Sequence, residues 1–190
     1  MFANAKPFWD SGLALVNDAQ SLLWGLIDGS GKYISEPIFS NVGDNLRNGL
    51  FRVGVLDRGW GYIDTSGAFV IEPQFEVAND FSNGFARVSS QIQSIENQNY
   101  YRLWGYINTS GERITEDIFS EAHDFSLGFA QVKRGDPFGD WEYIDMDGNI
   151  ASPDKATSYT VVRLSREHDA ETGLTGYVDS NGNWVIPQCH

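Results

Sequence analysis

Apolar positions along this chain come in short runs that do not fall into a helical period. Phe85-Ala86-Arg87-Val88, Trp104-Gly105-Tyr106-Ile107 and Val70-Ile71 are typical: β-branched or aromatic residues, bounded by clusters of Gly, Asn, Asp, Ser or Pro. Such runs read as strands, because branched and aromatic side chains suit a pleated surface. Between the second and third run of each group sits a four-residue signal: Asp64-Thr65-Ser66-Gly67, Asn108-Thr109-Ser110-Gly111, Asp145-Met146-Asp147-Gly148 and Asp179-Ser180-Asn181-Gly182. An Asp or Asn that caps its own turn, followed three residues later by Gly in the left-handed region, reverses a strand through a type I turn and G1 bulge. The expected unit is a small antiparallel meander.

The groups recur. The run beginning Trp24-Gly25-Leu26-Ile27-Asp28 returns at Trp60, Trp104 and Trp141, where Glu142 replaces the glycine, and once more as Thr175-Gly176-Tyr177-Val178-Asp179. The spacings are 36, 44, 37 and 34 residues. An upstream motif keeps step, as in Phe81-Ser82-Asn83-Gly84-Phe85 and Phe125-Ser126-Leu127-Gly128-Phe129; its fifth copy, near residues 157–164, has lost the glycine. A downstream motif ends in proline in most copies, as in Glu36-Pro37, Glu72-Pro73 and Ile186-Pro187. Proline has no N–H, so it is expected to end the ladder and send the chain to the next unit. Glycine after tryptophan is expected where a neighbouring backbone or ring lies close. The recurrent indoles are expected to be core or inter-repeat packing, with Trp60 substantially buried.

Five copies of three submotifs in fixed order resemble the WG-repeat family of bacterial proteins, from about Trp9 to Pro187. The resemblance implies a β-rich interaction module and brings no catalytic residues with it. Residues 1–190 are read as a single all-β repeat domain, with repeats at approximately 9–44, 45–80, 81–124, 125–156 and 157–190. A unit of this length cannot bury its face alone, so the five meanders must stack. A solenoid-like array is favoured, because the units are shorter on average than a four-stranded propeller blade. Closure into a small five-bladed, propeller-like ring is the alternative.

Charge narrows the function classes. The formal net charge is −13, from 26 acidic against 13 basic residues, and Lys133-Arg134 is the only adjacent basic pair. This excludes nucleic-acid binding through clustered basic residues and fits a partner with a basic surface. The single cysteine, Cys189, leaves no internal disulfide and no multi-cysteine metal site. With no signal-like apolar stretch at the start and no long apolar span, no membrane association and a cytoplasmic location are expected.

Candidate chemistry is sparse. Asp145-Met146-Asp147-Gly148-Asn149 looks like the start of a calcium loop, but its register is that of a plain turn in the other copies, and Ala156 stands where the loop's bidentate Glu belongs. His123, His168 and His190 are far apart and read as surface residues. The carboxylate pairs Asp169 with Glu171 and Asp136 with Asp140 read as a solvating face rather than as hydrolytic groups. No catalytic residue, cofactor or metal is therefore expected.

The informative departure is in the third copy, which carries about eight extra residues between Val88 and Trp104, within the segment 89–102. Loops on rigid repeats are common contact elements, and Tyr100 and Tyr101 supply contact area at small entropic cost. The candidate partner-binding residues are Ile92, Ile95, Tyr100, Tyr101 and Arg102. The expected function is a non-enzymatic module that binds or scaffolds another protein. Carbohydrate or small-ligand binding through exposed aromatics is the alternative, and a carboxylate-based hydrolase is the less favoured third.

Overall fold

The computed structural model describes residues 2–9, 11–90, 92–95, 99–135, 139–151, 165–168, 175–178 and 184–189, with backbone alone at 92–95, 99–101 and from 165 onward. The chain falls into two compact units, Met1–Ile150 and Ala151–His190. All regular elements among the described residues are β-strands.

In the first unit the strands form successive antiparallel sheets. The first runs β1 (Phe2–Ala5), β2 (Ala14–Asp18), β3 (Trp24–Ile27) and β4 (Tyr33–Phe39) in sequence order. The second runs β5 (Asn41–Arg47), β6 (Leu50–Val55), β7 (Gly59–Asp64) and β8 (Phe69–Phe75). The next two copies share strands β9 (Val77–Ala78), β10 (Phe85–Ser89), β13 (Trp104–Asn108), β14 (Arg113–Ala122), β15 (Phe129–Arg134), β16 (Glu142–Asp145) and β17 (Ile150–Ala151). These lie side by side in the order β17-β16-β15-β14-β13-β10-β9. The meander therefore has four strands rather than three, because the segment after each downstream motif pairs with the upstream strand of the next copy. Asn41 and Val42, for example, sit opposite Gly54 and Val53.

The turns form as their residues dictate. Gly67 N–H donates to the Asp64 carbonyl (3.0 Å), and Asp64 N–H donates to the Ala68 carbonyl (2.9 Å). The Asp64 carboxylate accepts from the Ser66 N–H, the Ser66 hydroxyl and the Ala68 N–H at 2.8, 2.6 and 3.2 Å. Asp28 and Asn108 do the same in their copies. A different turn joins the first two strands of the later sheets. Asn48-Gly49, Asn83-Gly84 and Leu127-Gly128 all have positive φ at both residues, the geometry of a type I′ hairpin turn.

Proline does not end the third strand. Pro37 and Pro73 lie inside β4 and β8, which continue to Phe39 and Phe75. The reason is a bulge: Trp60 pairs with Phe75 and Tyr62 with Ile71, so Gly61 of β7 stands opposite three residues of β8. A residue without N–H is tolerated there because the ladder is already interrupted. The same bulge explains the glycine after tryptophan. A Cβ at Gly61 would stand 2.5 Å from the Ile71 carbonyl oxygen and 2.7 Å from the Pro73 nitrogen. At Gly105 it would meet the Asp117 carboxylate at 2.6 Å and two backbone carbonyls at 2.9 Å.

The central strands are buried on consecutive residues, and so on both faces, which distributes one copy between two cores. Ile63 packs with Leu15, Leu26 and Phe39 of the preceding sheet, whereas its neighbour Tyr62 packs with Ala86, Val88 and Ile107 of the following one. Ile144 joins Tyr106 and Phe119 of the copy before it, within the seven-stranded sheet. Adjacent strand residues point to opposite faces, so the Tyr62-Ile63 pair ties the second sheet to both neighbours. The Asp-x-x-Gly turns add a second contact: Gly67 lies against Ile34 and Ser35, Gly111 against Ile71, and Gly148 against Ile114 and Thr115. These contacts stack the sheets in series, as expected of a solenoid-like array. The length argument against four-stranded units does not hold, since short strands fit four into each copy.

The second unit has β18 (Ser165–His168), β19 (Thr175–Val178) and β20 (Trp184–Cys189) as an antiparallel meander. The upstream motif near 157–164, the turn 179–182, Pro153, His190 and the pair Asp169 and Glu171 lie outside the described residues.

Candidate interaction surface

The recurrent tryptophans are not core residues. Trp24, Trp60 and Trp104 are half-buried, and Trp141 is 38% exposed. Trp24, Trp60 and Trp104 pack against the cores, and a cation lies over each of the four rings. The Arg52 guanidinium lies 4.7 Å from the Trp60 ring centroid, and those of Arg87 and Arg102 each lie 5.7 Å from that of Trp104. The amines of Lys6 and Lys133 lie 5.9 and 4.8 Å from the Trp24 and Trp141 centroids. A cation over an indole face is held by the ring quadrupole while its stem shields the ring from water. Recurrence at one repeat position showed that the ring has a fixed neighbour, but did not distinguish a hydrophobic core from a cation.

Each cation also reaches a carboxylate. Arg52 Nε is 3.0 Å from Asp80 and its Nη1 donates to the Ala78 carbonyl. Arg87 Nε donates to Asp124 (2.8 Å) and Nη1 to the Ala122 carbonyl (2.6 Å). Buried tyrosines complete the clamp, with the Tyr62 hydroxyl on the Asn79 carbonyl (2.6 Å) and that of Tyr106 on the His123 carbonyl (2.5 Å). Burial pushes both phenols well above the usual tyrosine range, so they remain neutral donors. The first copy has Leu15 where the arginine belongs, and Lys6 arrives from the segment after β1 to cover Trp24 and pair with Asp44. That pairing holds the Asp44 carboxyl below the usual carboxylate range, first through the hydrogen bond and then through the charge.

These clamps border an open, polar groove of about 660 Å³ that runs past the hairpin turns of successive sheets. Asn45, Arg47, Asn48, Asn79, Asp80 and Asn83 are among its lining residues, with Arg52, Arg87 and Asp124 beside them. Sequence reasoning missed this surface. The signal was present in the upstream motif, where Arg52 and Arg87 occupy one repeat position and Asn48 and Asn83 another.

The third-copy insertion folds as β11 (Ile92–Ile95) and β12 (Asn99–Arg102), paired from Ile92 opposite Arg102 to Ile95 opposite Asn99. The two strands form a sheet of their own, joined to no other strand among the described residues. The five candidate contact residues thus fall on one hairpin. The side chains of Ile92, Ile95, Tyr100 and Tyr101 lie outside the described residues. Arg102 is half-buried against the scaffold, over Trp104 and 4.0 Å from Glu76.

The base of the insertion is more firmly built than a surface loop. Ser89 is buried and pairs with Val77. Ser90 N–H donates to Asp117 (2.7 Å), while Arg113 donates to the Ser90 hydroxyl (2.6 Å) and to Asp117 (2.7 Å). The insertion proper is therefore residues 91–101.

Of the remaining candidates, Asp145 accepts from the N–H groups of Asp147 (3.0 Å) and Asn149 (2.9 Å), the same turn bonds as in the other copies. His123 stacks on Trp141 with ring centroids 4.7 Å apart. Among the described residues no three or more His, Cys, Asp or Glu side chains are grouped so that they could hold a metal ion. No helix among them is long and apolar enough to cross a membrane. Asp136 lies outside the described residues, and side-chain positions for His168 and Cys189 do as well.

Antiparallel meanders in series, with cation-covered tryptophans at one repeat position and a bulge glycine after Trp24, Trp60 and Trp104, define a tandem β-repeat protein. The family model for the WG containing repeat matches residues 24–55, 60–90, 104–136 and 176–188, more than half of the chain. The chain belongs to that family. Neither curated proteins nor solved structures give a match.

Proposed function

We propose that this protein is a non-enzymatic repeat module that binds another protein, with the third-copy hairpin as its contact element. The observation that carries the reading is the isolation of β11 and β12 in a separate two-stranded sheet. A hairpin whose outer edges pair with no other described strand keeps backbone donors and acceptors for an incoming chain, and strand addition is a common mode of peptide capture. The scaffold holds the base of this hairpin through Ser90, Arg113 and Asp117, which limits the entropy lost on binding. The acidic chain favours a partner with a basic surface. A glycan-stacking role is less well supported, because the half-buried indoles pack on the core and carry cations.

The test is partner capture from the native host by the parent and by a protein in which residues 91–101 are replaced with a two-residue turn. Ser89, Ser90 and Arg102 are retained. Capture should be lost while the melting temperature stays within a few degrees, since loop length changes closure entropy only slowly. Undiminished capture by the shortened protein refutes the hairpin as the contact.

A further inference from the structure

We infer that the polar groove beside the hairpin turns is a second binding site, for an extended peptide segment bearing a carboxylate. The inference rests on the reading of the protein as a peptide- or protein-binding module. It places a site where neither the family match nor the hairpin does. The groove's volume of about 660 Å³ falls in the range of ligand sites.

Its side chains divide into two sets. Arg52 and Arg87 are committed to Asp80 and Asp124, and these pairs make rigid walls. Arg47, Asn45, Asn48 and Asn79 make no side-chain hydrogen bond or ion pair with other described residues, yet all four line the same groove. Arg47 and Asn48 are exposed at the β5–β6 turn, and the positive φ of Asn48 and Gly49 fixes the direction of that turn.

The chemistry of this set selects the ligand. An uncommitted guanidinium offers two parallel N–H donors, the complement of a carboxylate. A carboxamide offers a donor and an acceptor together, which matches the C=O and N–H that an extended peptide presents along its main chain. Three guanidinium groups face two carboxylates here, so the groove is locally positive on a chain of net charge −13. That local sign favours an acidic segment, while the overall charge opposes a polyanion such as nucleic acid. A sugar is disfavoured for a different reason. The only aromatic ring in the lining is Phe81, which is 3% exposed, so no ring face is available to stack on a pyranose.

The test uses the full chain and three fluorescent, randomised octapeptide pools: one with a central Glu and blocked ends, one with a central Gln and blocked ends, and one with a central Gln and a free C-terminus. Binding to the Glu pool should exceed binding to the blocked Gln pool by about tenfold, and Arg47→Gln should abolish the difference. Arg47 is exposed and unpaired, so this variant should melt like the parent. Asn45→Ala/Asn79→Ala should weaken all pools by a similar factor, because those side chains address the main chain. Strong binding of the free-terminus pool supports the site and assigns the carboxylate to a chain end; preference for the Glu pool alone supports it and assigns a side chain. Equal binding of all three pools, a carboxylate preference that survives Arg47→Gln, or tighter binding of oligogalacturonate than of any peptide would overturn the inference. Absence of pool binding in a protein whose hairpin-dependent capture persists overturns the groove alone. Pool binding in a protein whose capture ignores the hairpin overturns the hairpin alone.

Discussion

Replacing Gly61 with alanine puts one methyl group against the backbone of the β8 bulge. The added Cβ would lie 2.5 Å from the Ile71 carbonyl oxygen, 2.7 Å from the Pro73 nitrogen and 2.9 Å from the Glu72 carbonyl carbon. All three are main-chain atoms in a strand clamped between two cores, so no flexible side chain can move aside. Contact without strain requires a displacement of nearly 1 Å, and overpacking of this kind costs about 1–3 kcal/mol. Alanine recovers some of that by stiffening the unfolded chain, by about 0.4–1 kcal/mol. Gly54→Ala isolates the clash. Gly54 is also a buried strand glycine of the same sheet, but its added Cβ would meet neighbours no closer than 3.4 Å. The expected difference between the two variants is about 2 kcal/mol in denaturant unfolding, or roughly 4–8 °C in melting temperature for a domain of this size. If Gly61→Ala unfolds together with Gly54→Ala, the bulge is not the reason for the glycine in the Trp-Gly signature.

Other consequences follow from the same geometry. Trp60→Ala should cost about 2 kcal/mol, less than the roughly 3–5 kcal/mol expected of Tyr62→Ala, because the indole is half-buried under Arg52 whereas Tyr62 is buried completely; denaturant midpoints of the two variants decide the order. Leu127 sits at φ +52° in a turn where two other copies have asparagine, so Leu127→Asn should stabilise by about 0.5–1 kcal/mol, seen as a higher denaturant midpoint at unchanged slope. Hydrogen bonds from the Ser30 and Ser66 hydroxyls and nearby N–H groups hold the Asp28 and Asp64 carboxyls below the ordinary value of 3.8. A group with a depressed folded-state pKa contributes stability above the unfolded value, and this is lost as pH falls through the folded one. Asp28→Asn/Asp64→Asn should keep the turns, as Asn108 does, and flatten the decline in melting temperature below about pH 4.

Much of this was legible in the residues. Asp-x-x-Gly turns depend on local chemistry, a side-chain acceptor and a residue tolerant of positive φ, and local chemistry is what a sequence displays most directly. The bulge glycine was also readable as a point of close approach, although not that the approaching atoms are carbonyls of a proline-containing strand. The leading strand was harder. Asn41-Val42-Gly43-Asp44-Asn45-Leu46-Arg47 is mostly polar and exposed, and pairs along one edge without the apolar alternation that marks a buried strand. The tryptophan caps were hidden because their partners are distant. Lys6 covers Trp24 from the segment after β1, and Arg52 meets Asp80, which lies beyond the end of its own four-stranded sheet. The polar groove exists only once successive turns are brought together by stacking.

The central claim is that the third-copy hairpin is the element a partner protein engages. Backbone amide hydrogen exchange, compared between the free protein and its complex with the captured partner, tests it at residue level. The account predicts that protection is gained at residues 92–95 and 99–102 while the strands bearing Trp24, Trp60 and Trp104 exchange as before. Protection gained on other surfaces, with the hairpin amides unchanged, would contradict it.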